Sequence, residues 1–248
     1  MVGPLRKSEP TGAQVFATTH WSVVLTAGQS GSEPAQTALE TLCRAYWYPI
    51  YYYIRRKGVG ADDAQDLTQG FFAQIIAKEH LRRADREKGK FRTFLLSILD
   101  YFLAREWNRA HRQKRGGRIA FVSLDEQDPE ERYKLEPANN ETPEKNFLRQ
   151  WALMTLRQTM NTLEAECQAS GKAPLLQEAR GILSGEQDTG RYAEIAKSLG
   201  VSEGAARVAV HRLRQRYGQL LREQIAQTVS GPEEIEEELR YLLKVLTE

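Results

Sequence analysis

Apolar residues recur at three- and four-residue intervals along most of this chain, which is the period of one helix face. From about Pro34 to Arg56 the repeat is carried by Leu39, Leu42, Tyr46 and Tyr53, with Pro49 expected to kink the helix or divide it in two. Gly58-Val59-Gly60 breaks the pattern, and Asp62 or Asp63 is a natural N-cap for the next helix. There Ala64, Leu67, Phe71 and Ile75 form an inward stripe, while Asp62, Gln65, Asp66, Gln69 and Ala73 fall on the opposite side. A turn at Gly89-Lys90-Phe91 opens a helix to about Arg112, with Phe94, Leu95, Ile98 and Phe102 apolar at helical spacing. Gly116-Gly117 ends it.

Residues 118–144 lose the period and gain Asp, Asn and Pro, so they read as a flexible linker with a short extended piece at Ile119–Leu124. Helical spacing resumes at Pro143, suited to a first helical position, through Phe147, Trp151, Met154, Leu156 and Leu163. A loop at 171–174, a short helix to Leu183 and a second loop lead to two helices separated by Leu199-Gly200-Val201-Ser202. After Gly231-Pro232 a final amphipathic helix lines up Ile235, Leu239, Leu242 and Leu246, with five glutamates between Glu233 and Glu238. With no convincing strand, the pattern predicts an all-α chain of two small helical domains joined by a flexible linker. The first dozen residues are Pro/Gly-rich and expected to be loose.

Composition narrows the function classes. The formal net charge is +2 over 248 residues, so any nucleic-acid affinity has to come from how charge is distributed. Cys43 and Cys167 are far apart and without ligand spacing, which disfavours a disulfide framework or a zinc site. The four histidines, His20, His80, His111 and His211, are scattered. There is no phosphate-cradling glycine loop and no nucleophile–base motif, so no enzyme and no cofactor are expected. No apolar run reaches the roughly 18–20 residues of a membrane span. The first residues lack the basic-then-apolar order of a leader. These features predict a cytoplasmic protein with no membrane partner.

Two stretches carry chemistry. Tyr192 to Tyr217 has the arrangement of a helix-turn-helix. Ile195, Ala196 and Leu199 face inward on the first helix, Gly200 suits the sharp turn, and Ser202 is a good N-cap. Ala206, Val210, Leu213 and Tyr217 make one buried stripe on the second helix, leaving Arg207, His211, Arg212, Arg214 and Arg216 on its other sides. Arginines so placed pair with guanine edges or phosphates, and the small Gly204 and Ala205 let the helix start approach DNA closely. The second stretch, Phe91 to Arg115, turns basic in its latter half: over 105–118 there are six cations, Arg105, Arg109, Arg112, Lys114, Arg115 and Arg118, against Glu106 alone. Tyr101 and Trp107 are interleaved with them. Aromatics beside positive charge stack on unpaired bases, while the charge tracks the phosphate backbone. Read alone, the same residues also fit a core tryptophan beside solvated arginines.

Taken in order, the pieces resemble one family. DAQDLTQGFFAQII resembles the acidic helix of sigma region 2.2, FRTFLLSILDYFLAREWNRAHRQKR resembles regions 2.3 and 2.4, and YAEIAKSLGVSEGAARVAVHRLRQRY resembles region 4.2. The chain is similar to extracytoplasmic-function (ECF) sigma factors of the sigma-70 family over about residues 36–118 and 145–228. The resemblance implies an N-terminal extension (1–33), a region 2 domain (34–117), the linker (118–144), a region 4 domain (145–228) and a C-terminal acidic helix (229–248). It implies a monomeric, non-enzymatic subunit that binds core RNA polymerase through the β′ clamp helices and β flap and directs it to promoter DNA. Asp62, Asp63, Gln65, Asp66 and Gln69 are then the polymerase contacts. Arg92, Tyr101, Arg105, Trp107, Asn108, Arg109, Arg112, Lys114 and Arg115 would meet the −10 element. Ser202, Glu203, Gly204, Arg207, His211, Arg212, Arg214 and Arg216 would meet the −35 element. The alternative is a stand-alone helix-turn-helix regulator that binds operator DNA without polymerase.

Two departures stand out. Gln65 and Gly70 occupy positions where the family often carries glutamate, so two charges are missing from a surface expected to meet a basic one. Thr68 lies in the same helix, and a phosphate there would supply roughly −1.5 to −2 charge. That makes Thr68 a candidate phosphosite and a Ser/Thr kinase a candidate partner. Residues 229–248 exceed a minimal sigma factor. They are expected to pack on a domain through their apolar stripe, with competition between the glutamates and DNA for the basic helices as the alternative.

Overall fold

The computed structural model describes residues 21–29, 32–77, 81, 84–112, 128–135, 141–183 and 190–247. Among them the structure is all-α. The helices are α1 (Trp21–Ala27), α2 (Glu33–Arg56), α3 (Ala61–Ala77), α4 (Phe91–Arg112), α5 (Pro129–Leu135), α6 (Pro143–Ala169), α7 (Ala173–Leu183), α8 (Arg191–Leu199), α9 (Glu203–Ala226) and α10 (Ile235–Thr247). Short 3-10 turns at Arg86–Lys88 and Pro232–Glu234 precede α4 and α10. Local chemistry sets the starts. Ser32, Thr142 and Ser202 each accept a bond from the backbone N–H three residues on, satisfying a donor the helix cannot pair internally.

The first hydrophobic core lies among α1–α4. It is strongly aromatic: Trp47 stacks on Phe72, and Phe71 meets Phe102 across α3 and α4. Pro49 does not divide α2, which is one helix from Glu33 to Arg56. Tyr46 through Ile54 are buried on every side except at the helix end, so tertiary packing outweighs the lost hydrogen bond. Gly70 faces Phe102; a Cβ there would lie 3.5 Å from the ring, an ordinary contact. Within the stretch read as linker, α5 docks on α2. Arg55 pairs with Glu130 through two hydrogen bonds, both 3.0 Å, and Arg132 sits 3.4 Å over the Tyr48 ring. Burial works against the Glu130 carboxylate, but bonds from Arg55 and Tyr51 outweigh it and hold its pKa below the ordinary range. The extended piece expected at 119–124 lies outside the described residues.

Helix α6 joins the rest together. Its first turns insert Phe147 into the first core, between Tyr46 and Tyr53. Its far end supplies Leu163 and Cys167 to a second core with α7, α8 and α9. Between them, Trp151 and Ala152 meet Ile225, Val229, Leu239 and Leu242 in a third core, which seats α10.

Candidate nucleic-acid and polymerase interfaces

The outer face of α4 is built by its inner one. Phe91, Leu95, Leu99 and Phe102 are buried, which turns the opposite side of the helix to solvent. Tyr101 and Trp107 are each 68% exposed, unusual for rings of that size. Tyr101, Arg105 and Asn108 recur at intervals of four and three and so share one stripe. Arg109 is exposed beside them, near Glu106 at 3.8 Å. Arg105 is held by Gln74 of α3 and lies 3.4 Å from Glu106. The surface thus offers flat aromatic faces next to guanidinium groups, a combination that grips unpaired bases and their backbone. The side chain of Arg112, and Lys114 and Arg115 altogether, lie outside the described residues.

The helix-turn-helix is α8, a tight turn and α9. Gly200 has φ +65°, a left-handed conformation costly for any residue with a Cβ, and Val201 N–H closes the turn on Ala196 O at 3.0 Å. Ala206 and Val210 are fully buried against Ile195 and Ala196, which fixes the rotation of α9. Ser202, Glu203, Gly204, Arg207, His211, Arg212 and Arg214 are exposed as a result. Among the described residues, nothing beyond its chain neighbours and the adjacent backbone of its own helix lies within 4 Å of a Cβ built on Gly204, so the start of the helix is sterically open. Arg207 is oriented from two sides: Glu203 accepts from its Nη2 at 2.7 Å, and its guanidinium lies 4.8 Å from the Tyr192 ring centroid.

On α3, Asp62, Asp63 and Asp66 are exposed, whereas Gln65 and Gln69 are half-buried. The Gln69 Oε1 is buried without a hydrogen-bond partner among the described residues. Toward the other end of α3, Gln74 meets Arg105 of α4.

No family model matches the chain, and no solved structure matches it. Among curated proteins, the chain is similar to the ECF RNA polymerase sigma factor SigE of Mycolicibacterium smegmatis. The two are 26% identical over 224 residues, covering 90% of this chain and 72% of the relative.

Three expectations from the sequence need correction. Arg92 is not on the exposed face of α4. It is only 5% exposed, paired with the buried Glu238 of α10 and stacked 4.0 Å over Trp151. Its position near the start of α4 points it at the third core rather than outward. Thr68 is 0% exposed, and its hydroxyl donates to Ala64 O at 2.7 Å, so a kinase has no access to it in the folded chain. It replaces Leu67, which is only half-buried, on the inward stripe. Arg216 turns back onto α6, where Glu166 accepts from its Nε and Nη2 at 2.8 and 2.6 Å. That partner holds Glu166 below the ordinary carboxylate range and raises Arg216.

Sequence reasoning overlooked Lys90, Glu238 and Gln74. Glu238 carried a legible signal: it lies three residues after Ile235 and four before Leu242, on the apolar stripe itself. A carboxylate on a buried stripe needs a cation, and Lys90 and Arg92 meet that need. Gln74 carried none, because only the packing of α3 beside α4 places it against Arg105.

No group of three or more His, Cys, Asp or Glu side chains able to hold a metal ion occurs among the described residues. No helix among them is long and apolar enough to cross a membrane.

Proposed function

We propose that this chain is a sigma factor that binds core RNA polymerase and directs it to specific promoters. The supporting observation is the pairing, in one chain, of two different nucleic-acid faces. One is the exposed Tyr101 and Trp107 among arginines, suited to unpaired bases. The other is an open, N-capped helix-turn-helix suited to duplex. A protein that both locates and opens a promoter needs both. In this reading the region 2 domain spans 34–117 and the region 4 domain 145–228. Tyr101, Arg105, Trp107, Asn108 and Arg109 meet the opened −10 strand. Ser202, Glu203, Gly204, Arg207, His211, Arg212 and Arg214 meet the −35 duplex. Asp62, Asp63, Gln65, Asp66 and Gln69 meet the β′ clamp helices, the region 4 domain meets the β flap, and the protein works as a cytoplasmic monomer. The SigE relative supports the sigma reading by its name. Kinase control through Thr68 forms no part of the proposal, because the hydroxyl is buried.

The test is run-off transcription with purified bacterial core polymerase and a promoter library, with and without a Ser/Thr kinase. Transcripts from a discrete promoter set that need this chain are the expected result, with no dependence on the kinase. No transcripts, with duplex binding by the chain alone, would replace the proposal with an operator-binding regulator.

A further inference from the structure

The C-terminal segment does more than fill a groove. From Gln227 onward it is tied to the α1–α4 body at several points. Trp21 N–H donates to Gln227 O at 3.0 Å, Arg86 Nε to Val229 O at 2.8 Å, and Ser230 Oγ to Arg86 O at 2.8 Å. At the centre, Glu238 of α10 is fully buried, with its carboxylate against both Lys90 and Arg92. These cations flank Phe91, the first residue of α4. The Arg92 guanidinium lies 4.0 Å from the Trp151 ring centroid and 5.3 Å from that of Tyr241, and Lys90 lies 5.5 Å from Tyr241.

Two cations face one carboxylate here. The site stays positive even with Glu238 in place, so it is an anion site occupied from within the chain. Stability alone does not call for a glutamate at this position. A leucine would continue the stripe of Ile235, Leu239 and Leu242, and buried ion pairs are often no better than apolar packing of the same volume. Ionic contacts do have one property that apolar ones lack: when separated, each group regains favourable hydration, so the seam can open without exposing a new hydrophobic patch at that point. A DNA phosphodiester carries the same single charge as the carboxylate and offers the same pair of acceptor oxygens.

Resting on the sigma-factor reading above, we propose that α10 is a latch. The Glu238 carboxylate occupies a phosphate site formed by Lys90 and Arg92, and this site takes a DNA backbone phosphate once α10 leaves. Arg92 is then a DNA-contacting residue only in the open form.

The test needs no promoter, because non-specific binding reports phosphate contacts directly. The full chain, Glu238→Gln and Glu237→Gln are titrated against a mixed-sequence DNA duplex over a range of salt. Glu237 is exposed on the same helix, so its substitution removes the same charge without touching the site. Glu238→Gln is expected to bind several-fold tighter than Glu237→Gln. Its log–log salt slope should be steeper by about 0.9 for each phosphate gained, and adding Lys90→Gln should remove that gain. Equal affinities and slopes for the two glutamate variants would overturn the latch. A second measurement uses the unmodified chain: at low salt, duplex should speed amide hydrogen exchange over 227–247, and unchanged exchange would also overturn it. Failure of the transcription test removes the sigma-factor reading; equal glutamate variants with transcription intact remove only the latch.

Discussion

Replacing Trp107 by alanine separates a nucleic-acid face from a structural one. Trp107 is 68% exposed on the outer side of α4, so little of its ring is withdrawn from water by folding. Exposed positions of this kind change stability by no more than about 0.5 kcal/mol. For a chain of this length that moves the melting temperature by only about 1–2 °C. If the ring stacks on an unpaired base, its loss removes about 1–3 kcal/mol of binding, roughly a 5- to 150-fold weaker Kd. Tyr101→Ala, at the same exposure, should behave alike. The assay is fluorescence anisotropy with a labelled single-stranded oligonucleotide, alongside thermal melting by circular dichroism. Trp151 is the comparison: it is 1% exposed in the third core, and its replacement should lower the melting temperature sharply. Single-strand affinity unchanged by Trp107→Ala would refute the stacking role. A melting temperature falling as far as for Trp151→Ala would show that Trp107 is a packing residue.

Individual contacts set the other expectations. Phe147→Ala should destabilise the chain by about 3–5 kcal/mol, read by urea unfolding, because the ring is fully buried between Tyr46 and Tyr53; a change under about 1 kcal/mol would refute the docking of α6 in the first core. Thr68 should take up no phosphate from Ser/Thr kinases in the native chain, checked by intact mass, and should become modifiable only after unfolding. Glu166 titrates below the ordinary glutamate value because Arg216 stabilises its charged form. A lowered folded pKa gives stability that is present above the unfolded value, about 4.3, and is lost as pH falls through the folded one. Melting temperatures between pH 6 and pH 3 should therefore fall less steeply for Arg216→Gln than for the unmodified chain.

The sequence by itself determined most of the longer helices and picked out the candidate nucleic-acid motifs, because both depend on short-range chemistry; it did not show α1 or α5. The stripe Ala206–Val210–Leu213, the turn at Gly200 and the cap at Ser202 lie within a dozen or so residues of one another, and each has one good conformation. The same holds for α4, where the aromatic and basic residues come after an apolar half that has to be buried. Only the tertiary structure decided what depends on partners distant in sequence. Thr68 and Leu67 are adjacent, and either can face inward by periodicity; the rotation of α3 against α2 and α4 buries the threonine, whose hydroxyl Ala64 O satisfies. Arg92 and Glu238 are separated by well over a hundred residues, and nothing local to either reveals that they meet. Arg216 looks like one more cation on a basic helix until α6 brings Glu166 beside it. Charge and periodicity say which side chains can bind DNA, while packing sets which remain free to do so, because a buried ion pair forms wherever the fold brings an opposite charge out of water.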